Sequence, residues 1–205
     1  MRSDAKRTHS ILLKAARKVL GSASINNMTM HAIIDASGVS KAQSYRHFRT
    51  PSDVVAALAA ELLREINEEL VAHQQEFEEA PAATYARAAV KVLTSDSVPN
   101  RQIILYGSVQ SEDGKWVPAA GLAAQGNAPE VLFEKWGVEL DDTLIALTYF
   151  RGAMYSWACG FFTDEMFAAE TERSISMKEP ASKKKPAAKK PAVKKKAAVK
   201  KESSR

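Results

Sequence analysis

Between Lys41 and Thr50 the chain carries Lys41, Arg46, His47 and Arg49 with no acid among them, and it sets Gln43, Ser44 and Tyr45 between those cations. Side chains of these types, in this order, suit recognition of duplex DNA, which calls for short polar groups toward base edges and cations toward phosphates. Lys41, Gln43 and Ser44 fall near the start of a short helical stretch, the end that commonly meets base edges. Glutamine can bridge adenine N6 and N7, and lysine can donate to guanine. Tyr45 and Thr50 are better placed for phosphate oxygens.

The flanking residues supply the frame. Thr29 suits a helix N-cap, and Ile33 and Ile34 point the helix that follows at a core. Gly38 stands where that helix must end, and glycine takes a left-handed cap at no steric cost. Ser40 caps a second short helix, with Gln43 three residues on completing a capping box. Thr50-Pro51-Ser52-Asp53 starts a third, with a cap, a proline in the first helical position and an acid in the third. Val39 and Phe48 should pack inward. Two short helices joined by a glycine turn form a helix-turn-helix. A plain helical hairpin with a solvated basic face is the competing reading, and three capped starts at this spacing favour DNA. The capping box also competes with base reading for the Gln43 side chain. His31 and His47 read as surface or packing residues rather than metal ligands.

The rest of the pattern is helical. Ile11-Leu12-Leu13, Ala15-Ala16 and Val19-Leu20 recur every three to four residues up to Gly21, which predicts an amphipathic first helix of about four turns. From Pro51 to about Glu79, Val54, Val55, Leu58, Leu62, Ile66 and Leu70 share one face of a single long helix. Pro81, Pro99, Pro118 and Pro129 punctuate shorter segments; residues 141–162 form another apolar stretch, and a short helix follows from Thr163. The first 177 residues are therefore read as all-α. From about Ser176 the chain becomes a degenerate Lys/Ala/Pro repeat without an aromatic residue, a composition that reads as disordered.

Charge is distributed in three blocks. Residues 1–58 hold nine Lys/Arg against three Asp/Glu (+6), residues 59–177 eight against nineteen (−11), and residues 178–205 twelve against two (+10). Two basic ends around an acidic middle point to a polyanion partner. The single cysteine, Cys159, excludes an internal disulfide and a Cys-based zinc site, so a reducing compartment is the default. The four histidines are scattered, and no GxGxxG, P-loop or GxSxG motif occurs. No cofactor and no metal are expected, and no nucleophile–base pair marks an enzyme. No stretch approaches the roughly 18 apolar residues of a membrane helix, nor the apolar run of a signal peptide. The expected location is the bacterial cytoplasm, on the nucleoid.

Gly38-Val39-Ser40-Lys41 and Tyr45-Arg46-His47-Phe48, behind a helix started by Thr29 and a first helix carrying Ala15-Ala16 and Leu20, resemble the DNA-binding domain of TetR-family transcriptional regulators. The resemblance covers residues 10–60 closely and extends to about 177 through helical architecture alone. It implies a homodimer, usually a repressor, each subunit placing the helix near 40–46 in one half of a near-palindromic operator. It further implies a small molecule in the C-terminal domain that changes the spacing of the two reading heads. The expected organisation is a DNA-binding domain over 1–52, with the helix-turn-helix at about 29–48, an effector-binding and dimerisation domain over 53–177, and a basic tail over 178–205. The expected DNA-contacting set is Thr29, Ser40, Lys41, Gln43, Ser44, Tyr45, Arg46, His47, Arg49 and Thr50. Two positions depart from the family pattern: Pro51 stands where a lysine is usual, and Ser44 where a bulky apolar residue precedes the tyrosine. Without a backbone N–H at Pro51, the phosphate contact there falls to Arg49 or Thr50.

In the acidic middle, Tyr149, Phe150, Met154, Tyr155, Trp157, Phe161, Phe162, Met166 and Phe167 form an aromatic and methionine stripe, with Trp116 and Trp136 upstream. Such a stripe is more often core or dimer interface than pocket. Gly152, Ala153 and Ala158 suit a close helix seam between subunits. A pocket lined by Leu105, Tyr106, Trp116, Phe150 and Met154 would favour an apolar or aromatic effector. Arg151 is placed to pair with Asp141 or Glu139, or with an anionic ligand. The tail, similar to those of linker histones, reads as a non-specific DNA clamp. The alternative to a regulator is a nucleoid-associated architectural protein in which that tail dominates.

Overall fold

The computed structural model describes residues 2–22, 27–108, 111–112, 115–116 and 144–175. The expected basic tail, Trp136, Pro118, Pro129, Glu139 and Asp141 lie outside the described residues. Among those described, nine helices carry the fold: α1 (Arg2–Ser22), α2 (Met30–Ser37), α3 (Lys41–His47), α4 (Pro51–Ala72), α5 (Gln74–Glu79), α6 (Pro81–Thr94), α7 (Ser97–Ser108), α8 (Leu144–Ala158) and α9 (Asp164–Ile175). Among the described residues, the one departure from all-α structure is a two-stranded antiparallel pair, β1 (Ser111–Glu112) with β2 (Lys115–Trp116). None of the described helices is long and apolar enough to cross a membrane.

Two expected boundaries move. The apolar period marks only the buried part of α1, which begins earlier, at Arg2, and carries Gly21 inside its last turn. Its first turns are largely exposed polar residues and add nothing to that period. The expected single helix from Pro51 to Glu79 is broken at His73, whose backbone leaves the helical region at φ −119°, ψ 37°. The His73 N–H is shared between the Glu69 and Leu70 carbonyls, and its Nδ1 lies 2.8 Å from the Glu69 oxygen. Beyond the break, α5 turns Phe77 into the core. Phe77 lies one heptad after Leu70, so the apolar row runs straight through the break and conceals it.

One hydrophobic cluster connects the first and last described helices, from Leu12, Met30, Ile33 and Phe48 through the buried row of α4 to Phe150, Trp157 and Phe167. It runs without interruption past residue 52. The aromatic stripe divides. Trp157 stacks on Phe167 at 5.2 Å, and Phe150 meets Tyr85 edge-on. Tyr155, Phe161 and Met166 remain exposed. Gly160, at φ 85°, reverses the chain between α8 and α9. There Asp164 accepts from Ser97 Oγ (2.6 Å), Trp157 Nε1 (2.7 Å) and Arg101 Nη2 (2.9 Å), which pins the α8–α9 corner to α7. These partners, the serine hydroxyl foremost, hold the Asp164 carboxyl below its ordinary range.

Candidate nucleic-acid interface

Each cap expected at the helix-turn-helix is formed. Thr29 Oγ1 accepts from the Ala32 N–H at 3.1 Å and starts α2. Gly38 closes α2 at φ 67° and donates its N–H to the Ile34 carbonyl at 3.1 Å. A substituted Cβ at Gly38 would meet no neighbour within 4 Å, so the backbone angle alone makes the demand for glycine. Ser40 Oγ accepts from the Gln43 N–H at 3.4 Å and starts α3. At α4 the capping box is complete, with Thr50 Oγ1 accepting from the Asp53 N–H (3.2 Å) and Asp53 Oδ2 accepting from the Thr50 N–H (2.9 Å).

The orientation of α3 sorts its side chains. Ser44 and Phe48, one turn apart, are both buried, and Val39 is half-buried against the same core. At 100° per residue the opposite side is centred on Ala42 and Arg46, flanked by Tyr45 and Gln43. Lys41, Ala42, Gln43, Tyr45 and Arg46 are all exposed. Among the described residues, Lys41, Arg46 and Arg49 make no ion pair. The face thus presents cations that no acid among the described residues pairs with.

Ser44 must be reassigned. Expected near base edges, it is fully buried and donates its hydroxyl to the Ser40 carbonyl at 3.1 Å. The helical period that turns Phe48 inward turns Ser44 inward too, and the small serine fits the contact. Gln43 is exposed but occupied, because its Oε1 accepts from Ser40 Oγ at 3.2 Å. This replaces the backbone contact of a full capping box. Thr29 and Ser40 are exposed with their hydroxyls engaged in caps. His47 is half-buried, its ring 5.9 Å from His9 of α1, and His9 packs on Phe48 at 4.8 Å. Burial first, then the neighbouring His47, holds the His9 imidazole below its ordinary value, against a smaller opposing pull from Glu61.

Arg49 and Thr50 are exposed, but their backbone N–H groups both point at Asp53 Oδ2, at 2.8 and 2.9 Å. A phosphate at the start of α4 would therefore meet the Arg49 guanidinium and the Thr50 hydroxyl, with the backbone donors already taken. Ala42 was missing from the polar set expected of this face. Its signal was available in the helical period, which puts it opposite Ser44 and Phe48, and a methyl group can read thymine as well as a polar group reads other bases.

The expected effector-pocket residues that are described lie in or against the core cluster. Leu105 lines an open groove of about 580 Å³ between α7 and the α8–α9 corner, together with Val98, Arg101, Phe161 and Phe162. Tyr106 is half-buried, with its hydroxyl 2.9 Å from Ser52 Oγ, and Phe150 is enclosed in the core. Met154 packs against that core, and the Trp116 side chain lies outside the described residues.

Residues 12–58 match the family model described as bacterial regulatory proteins, tetR family, a span from the middle of α1 into α4 that is less than a quarter of the 205-residue chain. No individual curated protein matches the chain. The matched span contains all three capped starts, the glycine turn and the outward face of α3, so the chain carries the DNA-binding helix-turn-helix of the tetR family of bacterial regulatory proteins at its N-terminus.

Proposed function

We propose that the protein acts in the bacterial cytoplasm as a homodimeric, ligand-responsive repressor on a near-palindromic operator. The observation that carries the reading is the α3 face on which Ala42, Gln43, Tyr45 and Arg46 are exposed, with Lys41 exposed at the helix start, while Ser44 and Phe48 anchor its back. Lys41 and Arg46 are assigned to guanine edges or phosphates, Ala42 to a thymine methyl, and Tyr45, Arg49 and Thr50 to phosphate oxygens. Gln43 reads a base only by leaving Ser40.

Dimerisation is supported by the outer side of α8, where Thr148, Gly152, Tyr155 and Cys159 are exposed along one row without a charge. A Cβ on Gly152 would meet nothing within 4 Å, which leaves room for a second helix. Gly152→Glu would place charges in that seam and give a monomer by sedimentation. An apolar or aromatic effector suits the groove of Val98, Leu105, Phe161 and Phe162. The twelve cations of the tail would add sequence-independent attraction to phosphates.

Selection of binding sites from a random duplex pool tests the reading. Paired half-sites should be enriched and bound on the order of 10³-fold or more above random DNA. The tail's +10 charge favours the architectural alternative, which predicts a ratio near one.

A further inference from the structure

Beyond the shared apolar core, polar side chains of α7 tie it to the helices of the reading head. Arg17 of α1 donates to Asn100 Oδ1 at 2.8 Å and lies 3.8 Å from Asp96, just before α7. Asn100 is fully buried and donates onward to the Val92 and Leu93 carbonyls that end α6, at 3.3 and 3.0 Å. Gln102 Nε2 donates to the Leu20 carbonyl in the last turn of α1. Ser52, in the first turn of α4 directly behind α3, shares a hydrogen bond with Tyr106 at 2.9 Å. These polar contacts reach the head at two separated points, the C-terminal part of α1 and the N-terminal turn of α4.

Arg101 of α7 reaches the α8–α9 corner. There Arg101 donates to Asp164 and to the Phe162 carbonyl (3.2 Å) and lies over the Trp157 ring at 4.8 Å. One short helix is therefore fixed to a core aromatic through Arg101, and to α1 and the first turn of α4 through Asn100, Gln102 and Tyr106. Hydrogen bonds are short-ranged and directional, so two of them at separated points fix the angle of a rigid body in a way that apolar packing does not.

We propose that Tyr106 and Arg17 are positioning residues: through Ser52 and Asn100 they set the angle of the reading head on α7, and so the half-site spacing that the dimer accepts. This inference rests on the proposed reading of a dimer on paired half-sites. It assigns to these two side chains a role in spacing and none in base choice, since neither lies on the α3 face.

The test is binding-site selection from a random duplex pool with the full chain, run in parallel for the wild type, Tyr106→Phe, Ser52→Ala, Arg17→Gln and, as a control on a distant surface pair, Arg87→Gln. Thermal melting of each variant accompanies it. The half-site sequence should be the same in all five. For Tyr106→Phe, Ser52→Ala and Arg17→Gln, the preference for the wild-type spacing over spacings one base pair longer or shorter should fall about fivefold, the factor expected for one net hydrogen bond. Arg87→Gln should keep the wild-type preference. Paired half-sites with the same spacing preference in every variant would overturn the inference and leave the dimeric-regulator reading standing, even if melting temperatures fall, because that is what a merely structural bond does. Absence of paired half-sites with the wild type would overturn the regulator reading and this inference with it. If Tyr106→Phe does not fold, Ser52→Ala decides the α4 contact alone.

Discussion

The α3 face and the α6–α9 body treat their cations in opposite ways. In the body, Arg87 makes a two-pronged contact with Glu172, Lys91 meets Glu69 at 2.7 Å, and Arg101 is held by Asp164. On α3 and its exit, Lys41, Arg46 and Arg49 are exposed, and their charged groups make no ion pair among the described residues. The nearby acids are engaged elsewhere: Asp35 lies against His31, and Asp53 closes the start of α4. Charges paired within the chain add little long-range field, whereas unpaired ones attract a polyanion. A basic surface therefore reads as function when its counter-ions are missing from the fold itself.

This contrast sits on a shared core, and the largest predicted effect tests the sharing. Phe48 is buried on the α3 side and belongs to the same cluster as Trp157. Phe48→Ala should cost about 3–5 kcal/mol. It should lower the midpoint of a single cooperative melting transition rather than split off an early one. Two separated transitions would show that head and body are stabilised independently.

A smaller effect sharpens the electrostatic half of the comparison. Arg87→Ala removes an exposed ion pair, so it should cost at most about 1 kcal/mol in denaturant titration. DNA affinity and its salt dependence should not move. A changed salt slope would mean that the body's cations also face DNA.

The smallest effect separates the regions by pH. His9, beside α3, has its pKa lowered by burial, so the unfolded chain binds its proton more readily. That contribution to stability is intact above the ordinary histidine range and is lost as pH falls from there through the lowered value. Asp164, in the body, is also lowered, and its contribution is lost only at much more acidic pH, as pH falls through its own folded value. Melting midpoints measured against pH should therefore decline in two stages. His9→Phe should flatten the near-neutral stage, and Asp164→Asn the acidic one. A flat near-neutral limb in the wild type would rule out the burial argument for His9.

The head was legible in the sequence because its signals are local. Thr29, Gly38, Ser40 and Thr50 act on backbone within four residues, so their types and spacing predict their contacts. Ser44 shows the limit. Its polarity suggested a base contact, while the helical period had already placed it beside Phe48. The break at His73 was hidden because the apolar row continues through it to Phe77. In the body, the partners that decide each side chain's role are distant in sequence. Asp164 gathers Ser97, Arg101 and Trp157, and Tyr106 meets Ser52. No local pattern reveals that Phe150 belongs to the core while Phe161 stays exposed. The roles of Phe150 and Tyr106 were therefore not legible locally, and those of the helix-turn-helix caps were.

The most direct test of the central claim is the salt dependence of binding by full-length protein to its selected duplex, measured for wild type and for Arg46→Ala/Arg49→Ala. If both guanidiniums meet phosphates, the double variant should bind every sequence more weakly, and the slope of log K against log salt should shrink by about 0.9 for each phosphate that is no longer neutralised. An unchanged affinity and slope would contradict the assignment of the α3 face to DNA.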